Sequence, residues 1–182
     1  MILGVGLGTE ETTDYARFGE RAENKILGEM LDESLEIITG LWSGGRYKHR
    51  GKYYRVGETV FLPRPVQRPR IPIWTAGFWP RKRPFLRAAR WDGAIPLKLP
   101  VRLLEPGDVR EIMSFIRKHR KGKSPFDLVN IGWTTGRNRR RDIEKVTAYS
   151  DSGATWWLES LWTKRDSPMG MLERVRAGPP GE

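Results

Sequence analysis

Short apolar, β-type runs alternate with amphipathic helical stretches along most of this 182-residue chain. That alternation limits the possible folds more than any other feature of the sequence. The strand-like runs are Ile2 to Gly8, Ile71 to Gly77, Asp92 to Leu97, Asp127 to Trp133 and Ala154 to Leu161. The clearest helix runs from about Lys25 to Trp42, where Leu27, Met30, Leu31, Leu35, Ile38 and Leu41 recur at three- and four-residue spacing. RPFLRAAR, residues 83–90, makes a second. Pro106 opens a third with Val109, Ile112, Met113 and Ile116 on one stripe, and proline suits the first helical turn. Ile143, Val146 and Tyr149 mark a fourth, and Met171, Leu172 and Val175 a fifth. Such alternation implies parallel strands joined by right-handed crossovers. An open doubly wound sheet and a (β/α)8 barrel both satisfy it. A closed barrel takes about 250 residues, so length alone favours the open sheet.

One segment breaks the pattern. GRYKHRGKYYRVGETVFLPRPVQRPR, about 45–70, reads as a β-hairpin inserted after the first helix. Gly51 and Gly57 supply turns, Tyr53, Tyr54, Val56, Val60 and Phe61 supply strand residues, and the proline-spaced exit is an extended connector.

Composition narrows the chemistry. There is no cysteine, which removes disulfides, zinc–thiolate sites and thiol catalysis and fits a cytoplasmic protein. No apolar run approaches the roughly 18 residues of a membrane span. The net charge of +11 raises the prospect of a polyanion partner. The basic clusters Arg81 to Arg83, Arg117 to Lys123 and Arg137 to Arg141 are not interleaved with aromatics, however. They read as solvated helix faces and ends, and a nucleic-acid partner is not expected.

Three motifs could carry chemistry. GVGLGTEE lacks the third glycine of a dinucleotide fingerprint, and Glu10 and Glu11 would repel a pyrophosphate. Its small residues serve either tight packing of a strand end or a ligand contact. In PIWTAGFWPRKRPF a buried strand ends at Ala76-Gly77, a short loop follows, and a helix starts near Pro80 or Arg81. That helix start, with Arg81, Lys82 and Arg83, makes an anion site, or else a plain strand-to-helix turn whose Phe78 and Trp79 pack. In GATWWLESLW, Glu159 lies near the end of an apolar strand, as a site residue or as the partner of a buried arginine. Trp156 and Trp157 point to opposite faces, so at least one is core. His49 and His119 stand isolated, without a metal-ligand neighbour at helical spacing, and both read as surface residues.

Taken together, these stretches resemble the luciferase-like flavin-dependent monooxygenases and oxidoreductases. ILGVGLG resembles that family's fourth barrel strand, and GEMLDESLEIITGLWSG the helix after it. FLPRPVQRPRIPIWTAGFWPRKRPFLRAARWDGAIP resembles the fifth strand through the sixth, and FDLVNIGWTTG and GATWWLESLW resemble the seventh and eighth. The most specific part is the LPRPVQ-to-WDG block. The resemblance implies a single α/β domain over residues 1–182, the C-terminal five-eighths of a (β/α)8 barrel covering strands four to eight. Three strand–helix units are then expected ahead of Ile2.

The resemblance also implies FMN or a deazaflavin coenzyme at the C-terminal mouth of the barrel. The loop after strand five holds the phosphate, which falls on Ala76, Gly77, Phe78, Trp79 and Arg81. The end of strand four borders the cofactor at Gly6 and Gly8, and Glu159 faces the same mouth. Relatives carry smaller residues where Phe78 and Trp79 stand. The family's proton-transfer groups come largely from the first three strands, so no catalytic residue is named. The expected activity is oxidation of a small organic substrate, with this chain binding the cofactor but catalytically incomplete. The competing expectation is a basic, non-catalytic module on a degenerate half barrel that holds a polyanion or a protein. An opened barrel exposes two strand edges and inward apolar faces, which implies a homo-oligomer.

Overall fold

The structure, a computed structural model, describes residues 1–8, 14–161 and 167–180. The chain divides into two compact units, Met1–Ile73 and Trp74–Glu182.

The first unit begins with β1 (Leu3–Val5), whose Leu3 N–H donates to the Pro72 carbonyl at 2.9 Å. A one-turn helix, α1 (Asp14–Arg17), follows, for which the sequence carries no periodic signal. The long α2 (Asn24–Trp42) matches its leucine spacing and buries Leu35 completely. β2 (Tyr47–Arg50) and β3 (Arg55–Thr59) form the expected antiparallel hairpin, with a register shift between Tyr47 and His49.

Side chains from one stripe of α2 hold this hairpin. Glu29, Glu33, Glu36 and Gly40 stand three or four residues apart and therefore share a face. The Glu33 carboxylate accepts the backbone N–H groups of Lys52, Tyr53 and Tyr54 at 2.8–3.1 Å. Glu29 accepts from Lys52 Nζ at 2.7 Å and the Tyr53 hydroxyl at 2.6 Å. Glycine is needed at two of the contacts. A Cβ on Gly40 would lie 2.0 Å from the Tyr47 ring, and one on Gly51 would lie 2.1 Å from a Glu33 carboxylate oxygen. His49, expected at the surface, is instead half-buried in this clasp. Its side chain is 13% exposed, 3.4 Å from Glu33 and 3.5 Å from the Tyr47 hydroxyl.

The second unit is a parallel sheet with helical crossovers. Its strands β4 (Ile73–Trp79), β5 (Gly93–Lys98), β6 (Asp127–Gly132) and β7 (Trp156–Glu159) lie side by side in chain order. They are joined by α3 (Lys82–Ala88), α4 (Pro106–His119) and α5 (Arg139–Asp151), and α6 (Pro168–Arg176) follows β7. The register runs from Trp74↔Gly93 to Trp79↔Lys98, then Gly93↔Asp127 and Ala94↔Leu128, then Val129↔Trp156 to Gly132↔Glu159.

Alternation along each strand sorts the side chains onto two faces. Trp79, Ala94 and Leu128 point toward the helices, where they pack with Phe85, Val109, Ile112 and Ile116 in the core. The other face carries Trp74, Ala76 and Phe78 of β4, Ile95 and Leu97 of β5, and Trp156 and Leu158 of β7. Trp74 meets Trp156 edge to face at 5.4 Å across this surface. Helix α4 anchors the helical layer. Its Asp108 carboxylate accepts the Glu105 N–H at 2.8 Å, closing the first turn, and pairs with Lys98 at the end of β5.

Candidate functional site

The block around β4 differs from the loop expected at its end. Strand pairing continues through Phe78↔Leu97 and Trp79↔Lys98, so Phe78 and Trp79 are strand residues. The turn is shorter, with the Arg81 N–H donating to the Phe78 carbonyl at 3.0 Å, and the helix begins at Lys82. Gly77 has a packing reason. A Cβ there would lie 2.2 Å from the Pro84 side chain, so glycine lets α3 fold back onto the strand. Trp79, only 6% exposed, sits edge to face against Phe85 at 5.3 Å and belongs to the core. Ala76 and Phe78 lie half-buried on the opposite face.

Arg81, Lys82 and Arg83 are all exposed just past this strand end. Among the described residues neither Arg81 nor Arg83 has an acidic partner, so the charge is available to an anion. In the first unit, Gly6 and Gly8 follow β1 and are exposed. Gly8 has φ +74°, a left-handed conformation that disfavours other residues.

Glu159 meets a buried arginine, one of the two roles its setting left open. Arg174 of α6 is 5% exposed and places a guanidinium nitrogen 3.3 Å from the Glu159 carboxylate. The same guanidinium donates to Thr134 Oγ1 at 2.6 and 3.1 Å. Glu159 also accepts from the Thr134 N–H at 2.7 Å, the Thr134 hydroxyl at 2.8 Å and Trp157 Nε1 at 3.0 Å. Its carboxylate therefore ties β7 to the end of β6 and to α6.

A second carboxylate repeats the device. Asp142 accepts from the Thr135 N–H and hydroxyl at 2.9 Å and from the Gly136 N–H at 2.8 Å. Burial pushes its pKa up, but the bonds from Thr135 and Gly136 and the nearby Arg174 charge outweigh it and hold the group below the usual range. Lys145 closes the cluster, donating to the Trp133 carbonyl at 2.7 Å with its ammonium 4.3 Å from the Trp133 ring centroid. Burial lowers its pKa.

Thr134, Asp142, Lys145 and Arg174 escaped the sequence reading. Arg174 alone had a pointer, because pairing with a buried arginine was one of the two roles open to a carboxylate in that apolar strand. No cluster among the described residues could hold a metal ion, and no helix among them is long and apolar enough to cross a membrane.

Known proteins resemble the chain along most of its length. Residues 1–122 match the luciferase-like monooxygenase family. The oxygenase component of flavin-dependent trigonelline monooxygenase from Acinetobacter baylyi is 36% identical over 83 residues, 46% of this chain and 22% of that protein. An uncharacterized protein of Mycobacterium tuberculosis is 34% identical over 152 residues, 80% of this chain and 49% of its own length. A solved F420-dependent secondary alcohol dehydrogenase, in complex with an F420–acetone adduct, superposes with a TM-score of 0.56 at 13% identity. That match covers 97% of this chain and 51% of the dehydrogenase, and at so low an identity the likeness is one of fold. The chain spans from about a fifth to about half of the length of these relatives. Its fold is a partial (β/α)8 barrel, and the chain belongs to the luciferase-like monooxygenase family.

Proposed function

We propose that this chain contributes the cofactor-binding portion of an oxidoreductase that acts on a small organic substrate with FMN or a deazaflavin coenzyme. The observation that carries this reading is the exposed Arg81-Lys82-Arg83 cluster at the C-terminal end of β4, whose two arginines lack acidic partners among the described residues. In parallel α/β proteins ligands bind beyond the C-terminal strand ends. A phosphate-bearing tail suits these cations, and a flat ring suits the apolar face that carries Ala76 and Phe78. Trp79 serves this site from beneath, as packing, because its ring lies on the helix side of the sheet.

Either group, when bound, would supply two-electron redox chemistry: reduced flavin with oxygen, or hydride exchange by the deazaflavin. The residues of this chain would bind and orient it. The test is a fluorescence titration of the folded chain with FMN and, separately, with F420. The expected result is saturable micromolar binding of one of them, weakened about tenfold by Arg81→Ala with Arg83→Ala. A chain shown by circular dichroism to be folded that binds neither would overturn the reading.

A further inference from the structure

A groove on the helix side of the second unit borders the core at Trp79 and shares Lys82 with the cationic cluster past β4. It lies between the start of α3 and α4 and has a volume of about 560 Å³, within the roughly 300–1,000 Å³ common for small-molecule sites. Phe115 and Trp79 border it, their rings meeting edge to face at 6.0 Å. Above them stands Lys82, its ammonium 3.5 Å from the Trp79 ring centroid and 4.9 Å from that of Phe115.

The rest of the lining follows from α4. Arg110, Ser114 and Lys118 recur every four residues and so share one face of the helix. The small serine leaves the middle open between two cations. Three cations thus line the groove against one acid, Glu111. The Lys82 ammonium is fixed over aromatic rings and has no carboxylate partner among the described residues. It is a pre-positioned positive charge beside apolar surface, with further positive charge on the opposite wall.

That combination selects for a ligand with a flat apolar body and a negative group. We infer that the groove binds a small aromatic anion, a carboxylate, sulfonate or phosphate borne on a ring. The ring lies along Phe115 and the anion pairs with Lys82 and Lys118. The groove and the Ala76–Phe78 face lie on opposite sides of the sheet and only Lys82 is common to both proposals, so the Lys82 and Lys118 changes test this one and the Arg81 and Arg83 changes test the cofactor reading.

The test uses 8-anilinonaphthalene-1-sulfonate as probe, titrated against the full chain by fluorescence at low and high salt. The expected result is one saturable class of sites that weakens with salt. Lys82→Ala combined with Lys118→Ala should weaken it about tenfold. Ser114→Trp, at an exposed position, should fill the groove and abolish that class. Leu158→Lys, on the opposite sheet face, should leave it unchanged. No saturable binding overturns the inference. So does binding that survives both the paired lysine change and Ser114→Trp, or that disappears with Leu158→Lys.

Discussion

Glu33 shows how much one carboxylate can do when backbone donors surround it. Burial pushes its pKa up, but the N–H groups of Tyr54, Tyr53 and Lys52, with His49, outweigh burial and bring it below the usual value. Glu29 is pulled from the usual 4.5 down to about 2, chiefly by its bonds from Lys52 and Tyr53. A carboxyl whose pKa is depressed by folding stabilises the folded form above its unfolded pKa, and that contribution fades as pH falls toward the folded value. The hairpin should therefore loosen between about pH 4.5 and about pH 2. Amide hydrogen exchange at Tyr53 and Tyr54 should show protection falling across that window, after correction for the intrinsic rate. Glu33→Gln should lose most of that protection already at neutral pH. Protection that stays constant down to pH 2 would contradict the clasp. Little of it could be read from sequence. Tyr53, Tyr54 and Gly51 announce a hairpin, but nothing local says which face of α2 receives it, and so His49 was misplaced at the surface.

Helices and strands were legible where their pattern is long and regular. The α4 stripe of Val109, Ile112, Met113 and Ile116 was fully visible, and all four side chains are buried. The end of β4 was not, because Phe78 and Trp79 run straight into Pro80 and read as a loop, whereas both still pair with β5. Only the close approach of α3 reveals that Gly77 serves strand packing. Helix α6 shows the converse case. Of its stripe Met171, Leu172 and Val175, only Met171 is half-buried and the other two are exposed, while Arg174 is buried. The apolar stripe alone does not orient this helix, because the bonds of Arg174 to Thr134 and Glu159 draw a charged residue inward. Replacing Arg174 by Met should cost about 1–3 kcal/mol, because Glu159 and Thr134 then lose a buried donor. Chemical denaturation would measure the cost. Arg174→Lys should not restore it fully, since a single ammonium cannot reproduce the guanidinium fork. No loss in either variant would mean that α6 docks by other means.

For the whole molecule, family and barrel ancestry were readable from the LPRPVQ-to-WDG block, while the relation between chain and assembly was not. Trp156 and Leu158 are 47% and 42% exposed on β7, which pairs only with β6 among the described residues. An apolar strand with a free edge invites pairing. We propose that this edge meets a second copy. Light scattering at micromolar concentration should then report a dimer or larger species, and Leu158→Lys should shift it toward monomer. A wild-type monomer would count against the proposal.

The contact between Gly77 and Pro84 has a consequence for how such a chain can drift. Two positions seven apart share one small volume, so neither is free to vary alone. The nearest atom is the Cβ of Pro84, which every residue but glycine keeps, so a side chain at 77 becomes tolerable only with glycine at 84 or a shift of α3, and glycine at 84 first leaves a hollow against the strand. Any path between the two arrangements passes through a less stable intermediate, which makes the pair a ratchet on the history of this turn.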